Sequence, residues 1–219
     1  MFADGTFYIA PIFGYQVFIT RVFAPEINSF YTTSLSILNN KEQPIYELLF
    51  EELKKNESNY NNNIISNYNN KIIVIPKILH CDFEKSISNA SIKIFHNITI
   101  KYCVWHYKRS FEVQKNKLCY NEVENNHKIY LLYKAITNFP FINPEYIFDI
   151  YNYIKIICQI YNYLNFLIFL EYFNKTYLYK YDIQYWNYYN DINHITNNAS
   201  ESFNNYLKKL FYKNLLSMN

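Results

Sequence analysis

Three short acidic motifs, far apart in the chain, carry the side chains best suited to chemistry. They are Phe2-Ala3-Asp4-Gly5-Thr6-Phe7, Cys81-Asp82-Phe83-Glu84-Lys85 and Thr196-Asn197-Asn198-Ala199-Ser200-Glu201-Ser202-Phe203-Asn204. Asp4 and Asp82 fall where apolar, strand-like runs end, and Glu201 falls near the start of a helical run. Side chains so placed can meet at one edge of a sheet. Carboxylate oxygens are hard donors that suit Mg²⁺ or Mn²⁺. Two such ions, roughly 3.5–4 Å apart, can activate the attacking oxygen and stabilise the leaving one in displacement at phosphorus. Each acid also has a plainer reading. Asp4-Gly5 could form a turn, Asp82 could cap the following helix, and Glu201 could be a solvated acid on a helix face.

Smaller groups of candidates surround these three. Cys103 and His106 have metal-ligand chemistry and the C-x-x-H spacing, which is half of a four-ligand zinc site. They could instead be a buried thiol and a hydrogen-bonded imidazole. Asn197 and Asn198 precede the third acid and could position it, touch DNA or cap its helix. Lys85, Lys108 and Arg109 could contact phosphates or be ordinary solvated charges, and Trp105 is read as a core aromatic before a stacking platform.

Composition removes other chemistries. Two glycines in 219 residues argue against folds built on Gly-rich phosphate loops, and neither GxGxxG nor GxxxxGK[ST] occurs. The four cysteines form no CxxC pair and no disulfide framework, so a reducing, intracellular setting is expected. A net charge of +3 permits nucleic-acid binding without demanding it. The run from Ile156 to Leu170 is too short to cross a bilayer and contains Gln159, Asn162 and Asn165, so it reads as a buried helix and no membrane partner is expected.

The elements that must position these residues are legible from periodicity. Alternation from Tyr15 to Phe23, with turn signals at Pro11 and Gly14 and again at residues 24–29, predicts antiparallel strands through Leu38. Residues 41–55 switch to helical spacing, with Ile45, Leu48, Leu49 and Leu53 expected inward. The Asn-rich tract 56–70 reads as an exposed loop. A strand over 72–81 then leads to Asp82. Residues 83–95 read as a helix with Ile87, Ala90, Ile94 and Phe95 inward, and Ile98–Val104 as another strand. Helical spacing dominates 127–179, and a last helix is expected over 197–216.

These motifs together resemble the catalytic domain of Mutator-like element (MULE) transposases. The matching features, in family order, begin with Asp4-Gly5-Thr6-Phe7 and the aromatic strand 16–23. They continue with Asn40-Lys41-Glu42 opening the first helix, and with Asp82-Phe83-Glu84 before a helix containing Asn89-Ala90. Cys103/His106 follow, then Trp186-Asn187 upstream of Thr196-Asn197-Asn198 and Glu201. No motif is specific alone, but six in order cover almost the whole chain. Where the family often carries an aromatic and a His after its glutamate, this chain has Phe203 and Asn204.

The resemblance implies a ribonuclease H-like α/β fold: three antiparallel strands, two parallel strands with crossover helices, and an all-helical insertion before the last helix. Residues 1–126 would be the first part of the core, 127–190 the insertion and 191–219 the helix completing the core. Asp4, Asp82 and Glu201 would form a DDE site holding two Mg²⁺ or Mn²⁺ ions, with Cys103, His106, Asn197 and Asn198 supporting it and Lys85, Lys108 and Arg109 contacting DNA. The implied activity is cleavage and transfer of double-stranded DNA, transposon ends and target, in the nucleus. The resemblance also admits homo-oligomers and a separate DNA-binding domain or subunit. Only Met1, Phe2 and Ala3 precede Asp4, where the family carries a zinc-dependent DNA-binding module, so a truncated remnant is expected. The alternative is a catalytically inactive, domesticated DNA-binding or interaction protein of the same fold. A third reading makes the aromatic half a membrane-associated or structural protein.

Overall fold

A computed structural model describes residues 1–24, 28–65, 76–190 and 202–209, without the side chains of 57–65. The expected positions Asn197, Asn198 and Glu201 lie outside the described residues. The chain divides into two compact units, residues 1–100 with 197–219 and residues 101–196.

In the first unit the elements run β1 (Phe2–Thr6), β2 (Gln16–Ala24), β3 (Ser29–Leu38), α1 (Gln43–Ile65), β4 (Ile78–Cys81) and α2 (Lys85–Ile94). β5 (Thr99–Tyr102) crosses the unit boundary. The described strands form one mixed α/β sheet in the order β3-β2-β1-β4-β5. β1–β2 and β2–β3 are antiparallel, the expected meander, and β1–β4 is parallel. A bulge between Thr20 and Arg21 makes Thr33 the extra residue opposite them. Both Thr33 and Ser34 hydroxyls then reach Thr20 Oγ1, at 2.8 and 2.7 Å.

Side chains alternate across a strand, and both faces of this sheet are covered. On the face of Gly5 and Phe18, α1 presents Tyr46 and Phe50, packed on Phe18 and Phe95 at ring separations of 5.2 and 5.6 Å. On the other face, that of Phe2 and Asp4, lies α9 (residues 202–209). Phe203 of α9 stacks under the Arg21 guanidinium, 4.8 Å from its ring centre. Lys208 sits 3.8 Å over the Tyr8 ring.

Two expectations for α1 change. The Asn-rich tract does not end the helix, which continues to Ile65; Asn lowers helix propensity only modestly. The inward stripe is Tyr46 and Phe50, while Leu48 is 59% exposed. Choosing every aliphatic residue as core rotated the helix away from the aromatic pair that fills the space above Phe18. α2 buries Ile87, Ala90 and Ile94, as its spacing predicts, and Phe95 follows them inward.

The second unit is helical: α3 (Val104–Leu118), α4 (Tyr120–Asn125), α5 (His127–Thr137), α6 (Ile147–Ile160), α7 (Leu164–Phe173), a π-helical turn (Asn174–Lys180) and α8 (Ile183–Trp186). Its core is aromatic. Phe111 lies among Tyr107, Phe169, Phe173 and Tyr177, with ring centres 4.3–5.7 Å away. Buried polar tips find partners, as such groups must. Tyr107 donates to the Ile136 carbonyl at 2.9 Å, Trp186 to that of Tyr177 at 3.1 Å and Tyr188 to that of Tyr102 at 2.9 Å. The uncharged run 156–170 is the end of α6, a turn and most of α7. Among the described residues no helix is long and apolar enough to cross a membrane.

Candidate functional site

Asp4 sits in the middle of β1 rather than at its end, paired with Ile19 of β2. On its other side Phe2 pairs with His80 of β4 in parallel register, and their rings stack at 4.5 Å. Continued two residues further, that register would bring Asp82 level with Asp4, 78 positions away in sequence, on chain segments about 4.8 Å apart. Asp82 follows the last residue of β4, where the strand gives way to the turn into α2.

The third motif reaches the same point through Asn204. Its Nδ2 donates to Asp4 Oδ2 at 2.6 Å, in a buried contact spanning 200 positions of sequence. A hydrogen bond to a carboxylate is worth about 1.5–3 kcal/mol, enough to hold α9 on β1. Asp4 and Asn204 are only 7% and 9% exposed. The amide oxygen, Asn204 Oδ1, is buried and has no hydrogen-bond partner among the described residues. Such an orphan acceptor costs about 1–3 kcal/mol unless something fills its lone pairs.

Asp82 does not cap α2. That position belongs to Glu84, whose backbone N–H donates to the Asp82 carbonyl at 2.7 Å. The Glu84 carboxylate turns away from the helix end. Its Oε1 accepts from the Tyr46 hydroxyl at 2.8 Å and its Oε2 from Lys41 Nζ at 3.0 Å. Tyr46 in turn accepts from Gln16 Nε2 at 2.8 Å. Burial holds the Tyr46 phenol far above its ordinary pKa, so it remains a neutral donor. Gln16 lies across Gly5, where a Cβ would collide with its Oε1. A larger residue after Asp4 would displace the Gln16 amide. A polar chain therefore runs from Gln16 of β2, through Tyr46 of α1, to the turn that carries Asp82.

Lys85 is exposed at the first position of α2. Cys103 and His106 belong to the second unit, at the start of α3; Cys103 is a buried thiol, outside any disulfide, in the N-cap position and His106 lies edge-on to Trp105. Lys108 and Arg109 are exposed there, over the rings of Phe141 and Trp105. Trp186-Asn187 is structural in this unit: the Asn187 amide donates to the Phe139 and Ile142 carbonyls at 3.1 and 2.8 Å.

Among the described residues, no group of three His, Cys, Asp or Glu side chains could hold a metal ion. Glu201 is not among those residues. What is described suits a hard cation in part: the Asp4 carboxylate with a buried amide oxygen beside it that lacks a hydrogen-bond partner, and Asp82 directly after the strand that pairs with β1. Sequence reasoning noted Asn204 only as a departure from the family pattern. Its place three residues after Glu201, about one helical turn, was the signal available. The Gln16–Tyr46–Glu84–Lys41 chain had no sequence signal.

Comparison with protein-family models, with curated proteins and with solved structures finds no match for this chain.

Proposed function

We propose that the chain is a ribonuclease H-like nucleic-acid-processing domain of the MULE transposase type, acting on double-stranded DNA through Asp4, Asp82 and Glu201. One observation carries the reading: β4, paired in parallel with β1, ends one residue before Asp82, while the third motif's helix hydrogen-bonds to Asp4 through Asn204. The strand order, with an antiparallel meander and then a parallel strand on the other side of β1, supports the fold family.

Divalent ions, when bound, supply Lewis acidity at the scissile phosphate and activate the attacking oxygen. The protein's part is positioning. Asp4 and Asp82 present hard oxygens from adjacent chains, Glu201 completes the carboxylate set, and Asn204 fixes the Asp4 rotamer. The Glu84–Tyr46–Lys41 contacts hold the Asp82 turn against β1–β2. Lys85, Lys108 and Arg109 are the proposed phosphate contacts, and the nucleus is the proposed setting.

Incubation of the full chain with supercoiled plasmid tests this. Mg²⁺- or Mn²⁺-dependent nicking that Asp82→Asn abolishes, along with Mn²⁺ binding by calorimetry, is the expected result. DNA binding without ion binding or nicking would favour the domesticated, non-catalytic protein of the same fold. Absence of all three would end the reading.

A further inference from the structure

The third motif contributes more than its glutamate. We infer that Asn204 is itself part of the ion site: its Nδ2 sets the Asp4 carboxylate and its Oδ1 supplies a neutral oxygen to the divalent cation or to a water bound to it. The inference rests on the metal-site reading above. It stands on three observations. The amide is nine-tenths buried and lies against Asp4. Its orientation is forced, because turning it over would set a carbonyl oxygen against a carboxylate oxygen. The remaining atom, Oδ1, is a shielded acceptor with no hydrogen-bond partner among the described residues, next to the Asp4 carboxylate, whose strand pairs in parallel with the one that leads to Asp82.

A tether would need only the N–H. An apolar or hydroxyl side chain of similar size would otherwise spare the fold a buried, unsatisfied carbonyl. An amide oxygen is a normal ligand for a hard cation, and it adds a donor without adding a fourth negative charge at the metal-free site.

The test uses Mn²⁺ itself as the probe, with calorimetry for affinity and thermal melts with and without the ion. Wild type is expected to bind, and Asp82→Asn to lose binding. Asn204→Ala should weaken Mn²⁺ by about tenfold or more, the usual cost of removing a group that supports a metal site. Asn204→Asp separates ligand from tether. It removes the N–H and sets a second carboxylate against Asp4, so the metal-free protein should melt lower than wild type. Its oxygen is a stronger donor, so Mn²⁺ should bind at least as tightly as in wild type and raise the melting temperature by more. Should Asn204→Ala not fold, Asn204→Asp decides alone, and folding that requires Mn²⁺ supports the inference. Asn204→Asp binding more weakly than wild type would overturn the ligand role, as would an Asn204→Ala protein that binds like wild type while Asp82→Asn does not. A wild-type chain with no affinity for Mn²⁺ would remove the metal-site reading as well.

Discussion

The Tyr46 hydroxyl donates to Glu84 Oε1 at 2.8 Å, joining α1 to the turn that follows Asp82. Tyr46 is fully buried, and its oxygen also receives Gln16 Nε2. Two acceptor–donor relations therefore pass through one atom that water does not reach, so its deletion leaves Glu84 and Gln16 each short of a partner. Tyr46→Phe should cost about 1–2 kcal/mol in urea unfolding. A double-mutant cycle with Glu84→Gln should return a coupling of about 1 kcal/mol, since the two residues are in direct contact. Additive effects would mean that the contact does not hold the turn.

Glu122 of α4 caps α7 from a distance. Its two carboxylate oxygens accept the Asn165 and Phe166 backbone N–H groups, at 3.1 and 2.8 Å. These are among the donors a helix start leaves unsatisfied, and no side chain from the neighbouring sequence serves them. Glu122→Ala should destabilise the chain by about 1–2 kcal/mol, as loss of an N-cap does. Glu122→Gln should cost less, because its remaining carbonyl still accepts one N–H. Thermal melts of the two variants check the order.

Burial pushes the Cys119 thiol up to about 12 and the Cys158 thiol up to about 11, with the Glu122 carboxylate adding to both. Each holds its proton more tightly folded than unfolded. The stability this lends is complete below the ordinary thiol value and drains away as pH rises from about 9 through the folded values. The melting temperature should therefore fall as pH climbs above about 9. At pH 8 the thiolate populations lie on the order of 100-fold or more below those of exposed thiols. Iodoacetamide should label the two cysteines in urea and barely at all in the native chain, read by peptide mass spectrometry. Native labelling at free-thiol rates would contradict their burial.

Much of the secondary structure was legible because it rests on local period. The alternation of 15–23 is β2, and the spacing of Ile87, Ala90 and Ile94 is the buried face of α2. The same local signal misled where two residue classes competed for one face. Leu48 looked like core and is exposed, because Tyr46 and Phe50 occupy the space above Phe18. The second unit shows the same principle at larger scale. Tyr and Phe make up its core, and the hydroxyls of Tyr107, Tyr151 and Tyr188 donate to backbone carbonyls.

The order of residues alone determined which side chains could do chemistry and which strands and helices carry them, because residue type and short-range spacing are written directly in it. The tertiary structure decided who stands next to whom. The parallel pairing of β1 with β4 brings Asp4 and Asp82, 78 positions apart in sequence, onto adjacent stretches of chain. Asn204 reaches Asp4 only because α9 lies on the face of β1 that α1 and α2 leave open. Glu84, at the N-cap of α2, anchors a buried chain only because Tyr46 and Lys41 arrive from α1 and its approach. Strand pairing and helix docking are non-local, selected by the burial of whole faces at once, and no window of sequence contains them.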